Sequence, residues 1–436
     1  MANILPILLF LCCGSAALAY RGPDLPPGPY CGITGQCCTK RQDGCSHRIL
    51  DSVCYCDQFC KQNRTHDDCC PDYETVCLNE PAQPIPLQNT PCKYNNKRYF
   101  PDETTKQNCN TCTCVAESES TSNWQCEQKT CLMDEEIIEN VNSRRLSWRA
   151  ANYSEFYGKT LEDGLTYKLG TLPLSVETKR MGAIRYDKDI DYPREFDARR
   201  RWNSTSPIID QGWCGSDWAV SIVGVASDRF AIQSNGAEKI TLSAQMLLSC
   251  KRFRRDKGSC KGGHIDIAWN YAKAEGLVDD KCFPYQAKDV RQVRCPFKRN
   301  GDLISDGCTP STPLRTSRYK VGPPGRLKNI EDIMYDIMTS GPVQAVMTVH
   351  QDFFHYRDGI YRRSRYGDNY LMGLHSVRVM GWGEERGDKY WIVANSWGTN
   401  WGENGFFRIA RGENESDIES FVVTVLTEVA SAYQKK

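Results

Sequence analysis

The spacing of apolar positions changes several times along the chain, and each change predicts a different kind of structure. Ile4 to Cys13 form an unbroken run of ten apolar residues, followed by small residues ending Ala17-Leu18-Ala19. Ten is too few to span a bilayer, and the A-x-A ending fits a cleaved secretory signal, so the mature chain is predicted to start near Tyr20. No later segment reaches the ~18 consecutive apolar residues of a membrane span. Residues 134–191 are charged and helix-friendly, with Ile137, Ile138, Val141, Leu146 and Trp148 as candidate apolar contacts. The apolar segment opening at Gln211-Gly212-Trp213-Cys214-Gly215-Ser216-Asp217-Trp218-Ala219 and running through Phe230 reads as a buried helix closed by Asn235-Gly236. Farther on, Val343 to Val349, Ser376 to Met380 and Tyr390 to Val393 alternate as strands. The C-terminal part is therefore half helical and half β.

Composition adds the compartment. The chain has 436 residues, 40% of them hydrophobic, enough for roughly two to four domains and a sizeable core. Lys+Arg number 55 against Asp+Glu 54, a net charge of +1 that argues against a general nucleic-acid binder. Twenty-four cysteines are too many for a reducing compartment and point to a secreted, disulfide-built protein. N-x-S/T sequons at Asn63, Asn152, Asn203 and Asn414 agree with that route.

Without Cys12 and Cys13, which leave with the signal, 22 cysteines remain in three even clusters. Ten lie between Cys31 and Cys77, a segment too short to fold on apolar burial alone. Its run Cys54-Tyr55-Cys56-Asp57, Cys60, Asp68-Cys69-Cys70-Pro71-Asp72-Tyr73 and Cys77 resembles a somatomedin B module, with two cysteines beyond the usual eight. Pro81, Pro84, Pro86 and Pro91 follow as a semi-rigid spacer. Six more cysteines, Cys92, Cys109, Cys112, Cys114, Cys126 and Cys131, form a polar module similar to a von Willebrand factor C module; a plain disulfide-stapled spacer is the alternative. The last six fall in the helical half of the C-terminal domain. The expected organisation is signal peptide 1–19, somatomedin B-like module 20–80, Pro-rich linker 81–91, cysteine-rich module 92–133, a cysteine-free segment 134–191 and a large domain 192–436.

The string Gln211 to Ala219 matches the C-G-[SA]-C-[WY] signature of papain-type proteases at every place but one, Asp217, where the nucleophilic cysteine belongs. Downstream, Leu374-His375-Ser376 and Gly381-Trp382-Gly383 resemble the surroundings of the family's base histidine. Asn395-Ser396-Trp397-Gly398, before Trp401-Gly402-Glu403-Asn404-Gly405-Phe406, resembles its orienting asparagine, and Gln211 its oxyanion-hole glutamine. Asn140-Val141-Asn142 with Trp148, Ala150 and Ala151 looks like a cathepsin B-type propeptide, which names the segment 134–191. Pro193 with Phe196-Asp197-Ala198-Arg199 looks like a mature N-terminus. With the two N-terminal modules, the architecture resembles the tubulointerstitial nephritis antigen family, secreted matrix proteins whose cathepsin B-like domain lacks its cysteine. The resemblance implies an α+β, papain-like two-lobed fold, a helical lobe plus a β-barrel lobe, behind small disulfide-rich modules. It also implies the pairings Cys214 with Cys260, Cys250 with Cys295, and Cys282 with Cys308. Two departures stand out. The family usually carries serine at the nucleophile position, and no histidine lies between Tyr285 and Cys308 to build an occluding loop.

Amide hydrolysis by this fold needs a good nucleophile that makes a stable acyl intermediate, which a thiolate supplies and a carboxylate, forming a mixed anhydride, does not. Aspartate does restore an anion at a helix N-terminus, where the dipole favours one. Gln211, Asp217, His375 and Asn395 are therefore read as a degenerate site, with Asp217 and His375 as a structural ion pair or, more blandly, two solvated neighbours. Zinc held by Asp217, His375 and His264 lacks the helical histidine pair of zinc proteases, so no metal or cofactor is expected.

Two surface motifs remain. Arg386-Gly387-Asp388 falls between strand runs, with Gly-Asp expected at the hairpin tip; it is either ordinary turn chemistry or an integrin-recognition sequence. Lys251-Arg252-Phe253-Arg254-Arg255 is a candidate patch for sulfated polysaccharide, or a solvated loop. Three functions compete. The first is a non-catalytic extracellular adaptor that uses the inactive cleft, the stapled N-terminal modules and surface motifs to bind matrix proteins, integrin-type receptors or secreted signalling proteins. The second is a protease regulator or peptide decoy using an inactive cleft, and the third a residual hydrolase.

Overall fold

The computed structural model describes residues 29–49, 52–62, 69–79, 91–117, 121–187, 190–203, 205–250, 259–286, 293–298, 300–309, 311–312, 315–364 and 372–430. The signal-peptide expectation, Asn63, most of the Pro-rich linker and Lys251, Arg252, Arg254 and Arg255 lie outside the described residues. The chain divides into two compact units, Met1–Thr105 with Cys112–Cys126, and Lys106–Thr111 with Glu127–Lys436.

In the smaller unit, cysteines replace the apolar core that so short a sequence cannot build. Buried Cys31, Cys45, Cys54, Cys56 and Cys70 surround Tyr73. Bridges join Cys31–Cys56, Cys37–Cys77, Cys38–Cys45, Cys54–Cys70 and Cys60–Cys69. The strands Ser46–Ile49 and Ser52–Tyr55 pair antiparallel. The Asp72 carboxylate accepts from the backbone N–H groups of Tyr30, Cys31 and Gly32, which the short helix Cys31–Thr34 would otherwise leave unpaired. Farther along, Cys92–Tyr94 pairs with Lys97–Tyr99, and bridges Cys92–Cys114 and Cys112–Cys126 staple the strands behind them.

The larger unit is built around the helix Asp217–Gln233, in which every residue from Asp217 to Ala231 is buried. One side packs on the helices Ala244–Cys250 and Ile265–Ala274, the other on the strands Val343–Val349 and Gly373–Glu385. Three bridges, Cys214–Cys260, Cys250–Cys295 and Cys282–Cys308, tie the helical side. The β side is a ten-stranded sheet whose path begins at Trp148–Ala150 and ends at Ala183–Ile184. Both edge strands thus come from the segment that sequence marked only as helix-friendly. Its helices are Glu135–Ser143, Leu161–Lys168 and Val176–Lys179. The strands expected at Ser376 to Met380 and Tyr390 to Val393 lengthen to Gly373–Glu385 and Asp388–Ala394, because each gains ladder partners on both sides.

The segment shares one core with the β side. Ile137, Val141, Trp148, Phe156, Leu161 and Leu169 are buried among Phe353, Tyr361, Trp397 and Trp401. Ile138 and Leu146 pack against the same core, partly buried. Leu132 and Met133 join it as well, and Cys109–Cys131 bridges within this unit, so the chain from Glu127 onward packs with the larger unit. All 22 cysteines after Cys13 are bridged.

Candidate functional site

Sequence and turn chemistry place Asp217 at the first residue of the long helix. Gly212, at φ 60°, donates its N–H to Asp210 Oδ1 at 2.8 Å, and Gly215 donates to Cys260 O at 2.8 Å. These bonds and the Cys214–Cys260 bridge fix the entry to the helix. Ser216, the N-cap residue, makes no side-chain cap and instead shares a 2.6 Å hydrogen bond with the Tyr285 hydroxyl. The carboxylate of Asp217 therefore stands at the positive end of the helix dipole. His375 comes from the strand Gly373–Glu385, and Asn395 directly follows Asp388–Ala394.

Asp217 and His375 are fully buried. His375 Nε2 donates to Asn395 Oδ1 at 2.8 Å. Its Nδ1 lies 3.2 Å from Asp217 Oδ2, within ion-pair distance, yet the two share no directed hydrogen bond. The carboxylate is satisfied by other donors. Oδ1 accepts the Gly170 N–H at 2.5 Å; Oδ2 accepts the Thr171 hydroxyl at 2.6 Å and the Ser376 N–H at 2.9 Å. A buried carboxylate is tolerated when its lone pairs are filled in this way.

Gly170 and Thr171 belong to the segment 134–191, and no sequence signal marked them as site residues. They run between the helical and β sides as extended backbone that makes isolated bridges to each. Thr171 bridges to Gly263 on the helical side and to Leu374 on the β side. Gly263 donates its N–H to Gly170 O at 2.9 Å, and Leu172 donates to Gly263 O at 3.1 Å. Gly170 lies so close to the helix entry that a Cβ there would sit 1.9 Å from Gly215 O. Gln211 is likewise engaged: Nε2 donates to Cys214 O at 2.8 Å and reaches Lys168 O at 3.3 Å, while Oε1 accepts from Ser396 Oγ at 2.5 Å. Upstream, the buried Lys168 ammonium pairs with Glu155 at 2.5 Å and lies about 5 Å from the ring centres of Phe156 and Trp213. The structure thus brings Gln211, Asp217, His375 and Asn395 together and fills the space before them with the chain itself.

A second buried histidine holds the start of the segment. His355 Nε2 accepts the Asp134 N–H at 2.9 Å and Nδ1 contacts Gln351 O at 3.1 Å, so the neutral ring with hydrogen on Nδ1 satisfies both. Burial pushes its pKa down to about 4, against the weaker upward pull of Asp352. Among the described residues, the one cluster at metal-ligand spacing is Cys31, Cys56 and Cys70, whose sulfurs are already in bridges. His264 stands at the N-cap position of the helix Ile265–Ala274 without a side-chain cap bond.

The hairpin motif differs by one residue from expectation. Arg386 and Gly387, at φ 55° and 93°, form the turn, and Asp388 pairs with Glu385 as the first strand residue. Two successive positive-φ residues match the strand twist, which moves Arg-Gly rather than Gly-Asp to the tip. Asp388 lies 3.1 Å from Arg362, which also holds Glu413 at 2.8 Å. Asn152, Asn203 and Asn414 are exposed.

Residues 192–426 match the family described as papain family cysteine protease. Tubulointerstitial nephritis antigen of Bos taurus is 39% identical over 430 residues, covering 93% of this chain and 88% of its own. The chain belongs to the tubulointerstitial nephritis antigen family. Similarity to this family runs through both units: the tubulointerstitial nephritis antigen-like protein of Homo sapiens is 39% identical over 434 residues, covering 94% of this chain and 90% of its own. The papain-type fold is shared with a solved structure described as proCathepsin B S9 from Trypanosoma congolense. That structure has a TM-score of 0.57 and 28% identity, covering 68% of this chain and 99% of that one.

Proposed function

We propose that this protein is a secreted, catalytically inactive, cathepsin B-like adaptor. It binds matrix proteins, integrin-type receptors or secreted signalling proteins on surfaces outside the cleft. The observation that carries the reading is the Asp217 carboxylate, buried at the helix N-terminus with hydrogen bonds from Gly170, Thr171 and Ser376. A carboxylate held by three donors of its own chain is a weakened nucleophile, and attack on an amide would give a mixed anhydride with a poor leaving amine. Gln211 points its amide at carbonyls of the same chain rather than at an open oxyanion site. Full pairing of the 22 cysteines after Cys13 supports an oxidising, extracellular setting. Among the described residues no helix is long and apolar enough to cross a membrane. A peptide decoy or protease regulator is less well supported, since residues 169–172 occupy the groove such a ligand would use.

Turnover of di- and tripeptidyl fluorogenic substrates and labelling by thiolate-directed epoxides test the inactive half of the reading. No turnover and no label are expected. Activity that survives purification and disappears in Asp217→Ala overturns it. Binding of a cystatin-type inhibitor or a tight peptide would favour the decoy instead.

A further inference from the structure

The hairpin formed by Cys92–Tyr94 and Lys97–Tyr99 carries charges in an arrangement that strand pairing disfavours. Asn95 and Asn96 have φ of 48° and 60°, the two left-handed residues of a type I′ turn. The register sets Tyr94 opposite Lys97 and Lys93 opposite Arg98. The pair beside such a turn is the hydrogen-bonded one, so Lys93 and Arg98 form the next, non-hydrogen-bonded pair, where side chains on one face approach most closely. Two cations directly opposite each other destabilise a strand pair, and Lys97 adds a third cation on the other face of the ribbon.

Among the described residues no carboxylate pairs with these cations. Residues 92–99 contain no acidic residue. Lys93, Lys97 and Arg98 are exposed, and none makes an ion pair among the described residues. The hairpin is also rigidly mounted. Cys92 is bridged to Cys114, the Tyr99 ring meets Trp124 edge-on at 5.3 Å, and Trp124 Nε1 donates to Lys93 O at 3.2 Å. The backbone that carries the cations is therefore preorganised, which lowers the ordering cost of binding.

We propose that this hairpin is a binding surface for a sulfated polysaccharide chain. Its cations project from an exposed two-stranded ribbon, an arrangement that suits a linear polyanion with repeated charges. An acidic peptide would have the exposed Phe100 beside the hairpin as an anchor, and the test below separates that occupant from a polysaccharide. A bound polyanion also relieves the repulsion between Lys93 and Arg98, so the feature that weakens the free hairpin strengthens the complex. The assignment rests on the extracellular reading above, because that is where sulfated polysaccharides are met.

The test is salt-gradient elution of the purified full-length protein from immobilised heparin, beside the variant Lys93→Gln/Lys97→Gln/Arg98→Gln. A second variant, Lys251→Gln/Arg252→Gln/Arg254→Gln, removes the same charge elsewhere. The hairpin variant is expected to elute at lower salt, with affinity at physiological salt reduced about tenfold and a shallower salt dependence. The other variant should elute close to wild type, and desulfated heparin should retain neither. Equal elution of hairpin variant and wild type overturns the proposal, as does an equal loss in both variants. Stronger binding to an acidic peptide or to anionic vesicles than to heparin overturns it in favour of those partners. The three side chains are exposed and Lys93 repels Arg98, so the hairpin variant should keep or slightly raise its thermal midpoint; a large drop would itself contradict the surface role. Heparin elution and peptidase turnover are read separately, so loss of this surface leaves the inactive-adaptor reading intact, and the reverse also holds.

Discussion

Gly170 donates its backbone N–H to Asp217 Oδ1 across 2.5 Å, at a point where even a methyl group on Gly170 would meet Gly215 O at 1.9 Å. The residue at the nucleophile position and the segment in front of it are thus fitted to each other, backbone to carboxylate. Gly170→Ala should push the segment 169–172 out of the cleft, costing about 1 to 3 kcal/mol as an overpacking change. Hydrogen exchange at Thr171 and Leu172 should rise well above wild type; unchanged protection there would mean that the contact is not maintained in solution.

Asp217→Asn keeps the shape but replaces one acceptor oxygen by a donor facing N–H and O–H groups. The loss should be on the order of 1 to 3 kcal/mol, mostly from the stranded donors. Thermal unfolding with disulfides intact measures it. A variant as stable as wild type would mean that the Gly170, Thr171 and Ser376 bonds contribute nothing.

The segment 134–191 should remain part of the purified full-length protein. It supplies both edge strands of the sheet, and its removal by self-cleavage would need a nucleophile. Intact mass, taken with and without a furin-type inhibitor to exclude cutting at Arg144-Arg145 or Arg199-Arg200-Arg201, should show no chain beginning near Tyr192. Recovery of such a chain without added protease would contradict the inactive reading.

His355 sets an acid limit. Its folded pKa of about 4 lies below the ordinary 6.5, so above pH 6.5 the ring is neutral in both states and adds no pH dependence. Between pH 6.5 and 4 the unfolded chain takes up a proton that the folded chain refuses, and about 3 kcal/mol of stability is lost across that window. His355→Gln, whose amide oxygen can accept the Asp134 N–H, should flatten the stability curve over the same range. Parallel curves for the two proteins would rule out His355 as the source.

Arg362 competes with a divalent cation for the half-exposed Asp388 carboxylate, so the Arg-Gly-Asp sequence should contribute weakly to cation-dependent cell adhesion, and integrin binding should rest on other surfaces. Asp388→Glu is expected to change wild-type adhesion little, whereas Arg362→Gln should raise adhesion and make it sensitive to Asp388→Glu. Loss of wild-type adhesion on Asp388→Glu alone would assign the motif to integrin recognition despite the ion pair.

Much of this was legible in the chain before it folded. The long helix at Asp217, the strand Val343–Val349 and the halves of the C-terminal domain follow from local periodicity, which depends on neighbours in sequence. Gln211, Asp217, His375 and Asn395 were readable because motif residues carry their neighbours with them. Gly170 and Thr171 were not: Leu169-Gly170-Thr171 has no distinctive pattern, and its role arises because the strands Trp148–Ala150 and Ala183–Ile184 anchor the segment on opposite edges of one sheet and draw the chain between them through the cleft. The cationic face of Lys93 and Arg98 was hidden for a similar reason, since two residues five apart become direct neighbours only when Asn95 and Asn96 turn the chain. Sequence alone determined which groups were present and which elements they form; tertiary structure decided which groups meet, because hydrogen bonds and charge repulsion act over ångströms and not over residue numbers.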